Sequence, residues 1–372
     1  MSRHLRLVAV TALATLMAVA AACSSPSTPT ATPAAAAKPT AAAAANPAGA
    51  NPAAAATAAK PAAAAAPGTP TAIPRTPVPT LNPAPEANAA WKTLVGVATL
   101  QDVFDAPVGL AVDSTGVLYV SDVTQHRLLR FNAATGQFQG TLGSPGSGPL
   151  QFQAPMGLAV DGEDNIYIAE RGGNRIQKIT SAGKFVSSFG EKGDQPGQFD
   201  APFAVAIDST GALVVADARN NRVQRIEPKT GEVLANFGSL GPDKSQFNGP
   251  TSVGVGPFDN IYVADRGNNR VQIFDSQGSF IGQFGGQGNA PTQFRLPAGL
   301  AVSPSNGELY VADTENNRIV RYSPSSPDPI PSGSRGSGAD EFQSPGGVAV
   351  DKQGNVYVAD TGNRRIMKLN RQ

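Results

Sequence analysis

From Trp91 onward, apolar residues fall in short runs of strand length, separated by polar turns. The pattern is clear in Leu158–Val160, Ile166–Ala169, Ile176–Ile179 and Lys184–Phe189, which are divided by Asp161-Gly-Glu-Asp-Asn165 and Thr180-Ser-Ala-Gly183. Runs this short, rich in β-branched residues and flanked by Gly and Asn, predict four antiparallel strands rather than helix. The unit recurs six times. Phe104-Asp-Ala-Pro107, Phe152-Gln-Ala-Pro155, Phe199-Asp-Ala-Pro202, Phe247-Asn-Gly-Pro250, Phe294-Arg-Leu-Pro297 and Phe342-Gln-Ser-Pro345 mark its starts at a nearly constant interval. A single four-stranded unit cannot cover both its faces, whereas six set radially can. The expected fold is therefore all-β, a six-bladed β-propeller.

The ends of the repeat array fit a closed ring. The last unit stops at Ile366-Met-Lys-Leu369, after its third strand, and Lys92-Thr-Leu-Val-Gly-Val97 stands where a fourth strand would precede Phe104. The N-terminal strand is thus expected to complete the sixth blade. After Tyr322 the fourth strand is interrupted by Pro324, Pro327, Pro329 and Pro331, so that edge is expected to be irregular.

Two segments precede the propeller (91–372). Residues 1–22 carry a basic head (Arg3, His4, Arg6), an uncharged Leu/Val/Ala run and small residues at the exit, as an export signal requires. Cys23 follows Ala20-Ala21-Ala22 in the manner of a bacterial lipobox, with Ala20 where Leu is more usual. This predicts a membrane-anchored, extracytoplasmic lipoprotein acylated on Cys23, the alternative being plain secretion. Of residues 24–90, 28 are Ala and 14 are Pro, so apolar burial cannot offset chain entropy and proline interrupts every candidate helix. The stretch 23–90 is expected to be a disordered tether.

Composition narrows the chemistry. One Cys excludes a disulfide framework and any cysteine-built zinc site, and two His exclude a three-His centre. From residue 91 there are 24 Lys and Arg against 27 Asp and Glu, a net of −3, so no nucleic-acid partner is expected. Gly-x-Ser-x-Gly is absent, and no Cys–His pair is possible in the propeller.

Each unit also holds an acid and, five residues on, an arginine: Asp122–Arg127, Glu170–Arg175, Asp217–Arg222, Asp265–Arg270, Asp313–Arg318 and Asp360–Arg365. Identical pairs repeated around a ring suit blade construction better than one asymmetric active site. Asp113-Ser-Thr-Gly116 and Asp208-Ser-Thr-Gly211 suit hairpin turns rather than calcium loops.

Pro-x-Gly-Leu-Ala-Val-Asp, then Ile-Tyr-Val-Ala-Asp, then Asn-Asn-Arg-Val/Ile-Gln resembles the NHL repeat. The resemblance implies a propeller serving as a binding platform; related six-bladed propellers include metal-dependent lactonases and lyases. Those enzymes would call for channel acids or several histidines. Here the inner strands open on Val108-Gly109, Met156-Gly157, Phe203-Ala204, Thr251-Ser252, Ala298-Gly299 and Gly346-Gly347, none acidic, and His126 is the propeller's one histidine.

Function is expected where the units differ, in the loops between second and third strands. There the variable positions supply Arg171, Arg219, Arg266 and Arg364 with Gln125, His126 and Glu315. Such a face suits a protein, peptide or cell-envelope glycan, with no cofactor. The alternative is a lyase or lactone hydrolase with an atypical metal site in the channel, and a third reading is a purely structural envelope protein.

Overall fold

The computed structural model describes residues 91–95, 103–326 and 328–369. The export signal, Cys23 and the Ala/Pro-rich stretch lie outside them. The described residues form six four-stranded antiparallel sheets. Blades one to five span residues 107–142, 155–189, 202–237, 250–285 and 300–332, and blade six spans 347–369 with 91–95. In blade two the strands are Pro155–Val160, Ile166–Glu170, Arg175–Ile179 and Phe185–Phe189, from the inside outward.

Closure follows the expected route. Trp91–Val95 lies antiparallel to Arg365–Leu369 as the outermost strand of blade six, with a register shift between Thr93 and Val95. In blade five a three-residue outer strand, Ile330–Ser332, pairs with Arg318–Tyr322 despite Pro331. An outermost strand tolerates proline because one side of its ladder has no partner.

The core lies between the blades. Phe152, Phe199, Phe247, Phe294 and Phe342 are fully buried, and Phe104 nearly so. Phe199, for example, joins Tyr167, Ala169 and Ile176 of blade two to Val205, Leu213, Val215 and Ile226 of blade three. Each of the first five rings occupies the space a β-carbon would need at a glycine in the preceding connection. A Cβ on Gly190 would stand 2.4 Å from the Phe199 ring, and one on Gly238 2.6 Å from that of Phe247. The Gly and Phe landmarks of the repeat are therefore two halves of one packing contact.

The innermost strands crowd together more tightly still. A Cβ at Gly109 would lie 2.0 Å from the carbonyl oxygen of Met156, and one at Gly347 1.9 Å from that of Val108. Ala204 and Ser252 hold the equivalent places in blades three and four. The small residues at the inner strands are thus demanded by backbone approach between neighbouring blades. They leave a central cavity of about 70 Å³, lined by segments of all six inner strands. At roughly 10–15 Å³ for each water, that is room for a few solvent molecules.

Candidate functional site

The second-to-third-strand turns share one end of the ring with the connections between blades. Their repeated acids and arginines build a clamp. In blade three, the Asp217 carboxylate accepts from Asp200 N at 2.8 Å, Asn220 Nδ2 at 2.8 Å, Arg222 Nε at 2.8 Å and Gln224 Nε2 at 3.4 Å. Arg222 Nη2 then donates to the carbonyl oxygens of Gln195 (3.0 Å) and Gln198 (2.8 Å) in the connection entering that blade. Glu170–Arg175, Asp265–Arg270, Asp313–Arg318 and Asp360–Arg365 repeat the ion pair at 2.7–2.8 Å, with carboxylates wholly buried. Burial pushes the Asp217, Asp313 and Asp360 carboxyls upward, against the pull of their N–H donors and arginines.

Blade one departs from the expected pairing. Arg127 does not meet Asp122; its Nη2 donates to Val103 O at 3.0 Å, and its Nε is buried without a hydrogen-bond partner. Asp122 instead takes the N–H groups of Asp105, Ala106 and Gln125. The reason lies in what enters the blade. The other connections end in Gln-Phe or Glu-Phe after a Gly-containing loop, whereas the residues before Phe104 read Thr-Leu-Gln-Asp-Val.

The amides that looked available for a ligand are engaged. The first Asn of each Asn-Asn pair bonds the incoming connection, as Asn268 Nδ2 does Gly241 O at 2.8 Å. The second, and Asn174 after Gly173 in blade two, reaches the next blade: Asn174, Asn221, Asn269 and Asn317 accept at Oδ1 from Ala201, Gly249, Leu296 and Ser344 N at 2.9–3.0 Å. His126 holds the equivalent place and accepts from Ala154 N through Nδ1 at 2.8 Å. In blade six it is Arg364, whose Nη2 lies 3.1 Å from Asp105 Oδ1. All six residues share a left-handed φ of 52–56°, where Asn is favoured among side-chain-bearing residues. His126 and Arg364, expected on the binding face, are therefore joints between blades.

The remaining face residues lie on the same turns or beside them. At the inner ends of blades one to three, Val108, Met156 and Phe203 pack with Val123 and Ala218 into an apolar cluster. Arg171 and Arg266 occupy the turn position of Val123 and Ala218 in blades two and four. Arg219 Nη1 is 3.6 Å from Asp200 Oδ1, and Glu315 Oε2 is 3.5 Å from Arg295 Nη2. Gln125 is exposed at the tip of its turn. Asp105, Asp200 and Arg295, which follow the repeated Phe, belong to the same face. Their variation between units is the signal that could have included them.

A second ring of charge occupies the opposite end. Arg225 Nε meets Asp208 Oδ2 at 2.6 Å, Lys178 Nζ meets Asp161 Oδ2 at 3.1 Å, and Arg321 Nη1 meets Glu308 Oε1 at 3.4 Å. The hydroxyls of Tyr119, Tyr310 and Tyr357 donate to Asp113, Glu308 and Asp351. Blade four has Gly256 and Ile273 at the acid and cation positions, losing both charges together. The available sequence cue was an acid just after the first strand matched by Arg or Lys in the third, as in Asp113 and Arg130, Asp161 and Lys178, or Asp351 and Lys368. Burial raises the Asp208 carboxyl, but the Thr210 hydroxyl and Arg225 outweigh it and hold the group low; at Asp161, Asn165 and Lys178 do the same. A folded value below the unfolded one gives stability that is present above the ordinary carboxylate range and lost as pH falls through the folded value. Asp208→Asn should accordingly show a shallower loss of stability than wild type between about pH 6 and about pH 3, read as urea midpoints.

Among the described residues, no group of three His, Cys, Asp or Glu side chains is placed to hold a metal ion, and no helix is long and apolar enough to cross a membrane.

The NHL repeat family model matches residues 104–131, 247–274, 294–322 and 342–369. No curated protein matches the chain. Among solved structures, a catalytically inactive His→Ala variant of virginiamycin B lyase from Staphylococcus aureus, with quinupristin, is 17% identical. The match covers 77% of this chain and 100% of that one, with a TM-score of 0.53. A gluconolactonase from Xanthomonas campestris is 16% identical over 76% and 90% of the two chains, TM-score 0.56. An auxiliary nutrient binding protein from Bacteroides thetaiotaomicron is 15% identical over 76% of each, TM-score 0.57. At these identities the likeness is one of fold.

Proposed function

We propose that this chain, a six-bladed propeller carrying NHL repeats, is a non-enzymatic binding platform outside the cytoplasm, tethered by a lipid on Cys23 and engaging a protein, peptide or envelope glycan through its turn-rich face. The observation that carries this reading is the contrast between the face and the channel. Each clamped turn is tied to the incoming connection, and the turns are joined from blade to blade, which yields a rigid surface edged by Arg171, Arg219 and Arg266. A preorganised polar surface loses little entropy on association. Beneath it, Val108, Met156 and Phe203 cluster at the inner ends of blades one to three, and the central cavity of about 70 Å³ is far below the several hundred Å³ of an ordinary small-molecule site.

The competing reading, a lyase or lactone hydrolase, draws on the enzymes that share the fold. The lyase is described as inactive when one histidine becomes alanine, and this propeller's one histidine is spent on Ala154 N. Stoichiometric, chelator-sensitive binding of a divalent ion by the purified protein would favour the enzyme.

The direct test is capture of a component from envelope extract. Converting Arg171, Arg219 and Arg266 together to Ala should weaken capture by at least about tenfold, since each charge-assisted hydrogen bond contributes about 1.5–3 kcal/mol. The melting temperature should change little, because an exposed pair such as Arg219–Asp200 is worth about 0–1 kcal/mol. Unchanged capture would reject this face as the site. Separately, Cys23→Ala should release the protein from membranes if the cysteine is acylated.

A further inference from the structure

Five joints link one blade to the next through a turn residue that accepts a backbone N–H, and four use an asparagine amide, which cannot titrate. The joint between blades one and two uses His126. We infer that this joint is a pH-sensitive hinge, closed while the His126 imidazole is neutral and released when Nδ1 takes up a proton.

The geometry leaves the imidazole one role there. Ala154 N points a hydrogen at Nδ1 from 2.8 Å, so Nδ1 must present its lone pair and the ring proton must sit on Nε2. Protonation turns the acceptor into a donor facing a donor, and the Ala154 N–H loses its partner. Histidine is the side chain that changes charge in the mildly acidic range an extracytoplasmic protein meets.

The neighbouring charges do not supply a replacement. On its own turn, the Asp122 carboxylate is taken by three backbone N–H groups, and Arg127 is turned to Val103 O. From blade two, Glu170 is held by Gln153 N, Arg175 and Gln177, and Arg171 gives its backbone N–H to Ala154 O at 3.1 Å. Among the described residues, no carboxylate lies within ion-pair distance of the imidazole. The contact from Arg171 also makes the hinge consequential: Ala154 is bonded through its N–H to His126 and through its carbonyl oxygen to the turn carrying Arg171. Release of the first bond loosens the support of the second, at the rim of the proposed binding face.

The experiment compares the full-length wild type with His126→Asn and His126→Ala, measuring thermal midpoints at about pH 8 and about pH 5, on either side of the histidine range. Asn restores the non-titrating joint of the other blades and accepts the left-handed backbone. Ala removes the acceptor at every pH. Wild type should match His126→Asn at the higher pH and fall about 2–4 °C below it at the lower, the shift expected for one lost hydrogen bond in a domain of this size. His126→Ala should show a constant offset from His126→Asn, which includes its backbone strain. The protection of the Ala154 amide against hydrogen exchange, taken relative to the intrinsic rate at each pH, should fall about fivefold in wild type over the same interval and stay level in His126→Asn, a readout that holds if His126→Ala fails to fold. His4 is present in all three forms and drops out of the comparison. An equal pH dependence in wild type and His126→Asn, or an Ala154 protection factor unchanged by acid, would overturn the hinge.

Discussion

Replacing Asp217 with alanine should cost about 3–5 kcal/mol of stability, the expected penalty for breaking a buried ion pair from one side. The carboxylate is fully buried and gathers donors from four residues in three segments. Its loss leaves Arg222 charged and 7% exposed, still gripping the carbonyls of Gln195 and Gln198 but with no counter-charge. Asp200 N and the Asn220 amide lose an acceptor as well. Asp217→Asn keeps the shape and one acceptor oxygen, and should fall between wild type and Asp217→Ala. Blade one provides the internal contrast. Because Arg127 does not pair with Asp122, Arg127→Ala should cost only about 1 kcal/mol, the scale of one ordinary hydrogen bond. Urea unfolding of the three variants measures the series. A loss below about 1 kcal/mol for Asp217→Ala, no more than one ordinary hydrogen bond, would mean that the clamp contributes geometry and not stability.

The second large effect is expected at the seam of the ring. Gly347→Val should destabilise by about 3 kcal/mol or more, at the upper end of the overpacking range, because the obstacle is backbone and cannot rotate away. A Cβ there would stand 1.9 Å from Val108 O, across the contact by which blade six meets blade one. Thr361 Oγ1 bonds Pro107 O at 2.7 Å beside it, and Lys368 Nζ bonds Ala133 O at 3.0 Å. Forcing the two inner strands apart disturbs the same seam that the N-terminal strand closes from outside. Gly162→Ala, where nothing lies within 4 Å of an added Cβ, is the control. It should be neutral or stabilise by up to about 1 kcal/mol through a less flexible unfolded chain. If the two substitutions behave alike in thermal unfolding, close approach is not why the inner strands are small.

These expectations also mark how far the chain could be read by itself. The Phe-x-x-Pro landmarks and the acid five residues before an arginine were legible because they obey one spacing, and spacing survives without coordinates. The role of the arginine was legible in kind, since a charge-bearing pair repeated six times must be structural. That five pairs form and the sixth does not was hidden, because it depends on the connection that enters each blade. His126, Gln125 and Arg364 looked variable and therefore functional; for His126 and Arg364 the variation is in how an inter-blade joint is made. The second ring, Asp208–Arg225 and its relatives, went unread because its members stand far apart in the chain, on the first and third strands of a blade.

What the amino-acid sequence determined alone is the fold: strand-length apolar runs, repeated six times, with the last unit split between the two ends of the array, admit a closed ring and little else. Strand length and turn chemistry are local properties, so they are written in local sequence. What only the tertiary structure decided is which polar groups remain for a partner. Asparagines that seem free in a turn are consumed by the neighbouring blade, and the small residues at the channel mouth are there because backbones touch. Hydrogen-bond partners and steric room are set by what the fold brings close, and no single repeat carries that information.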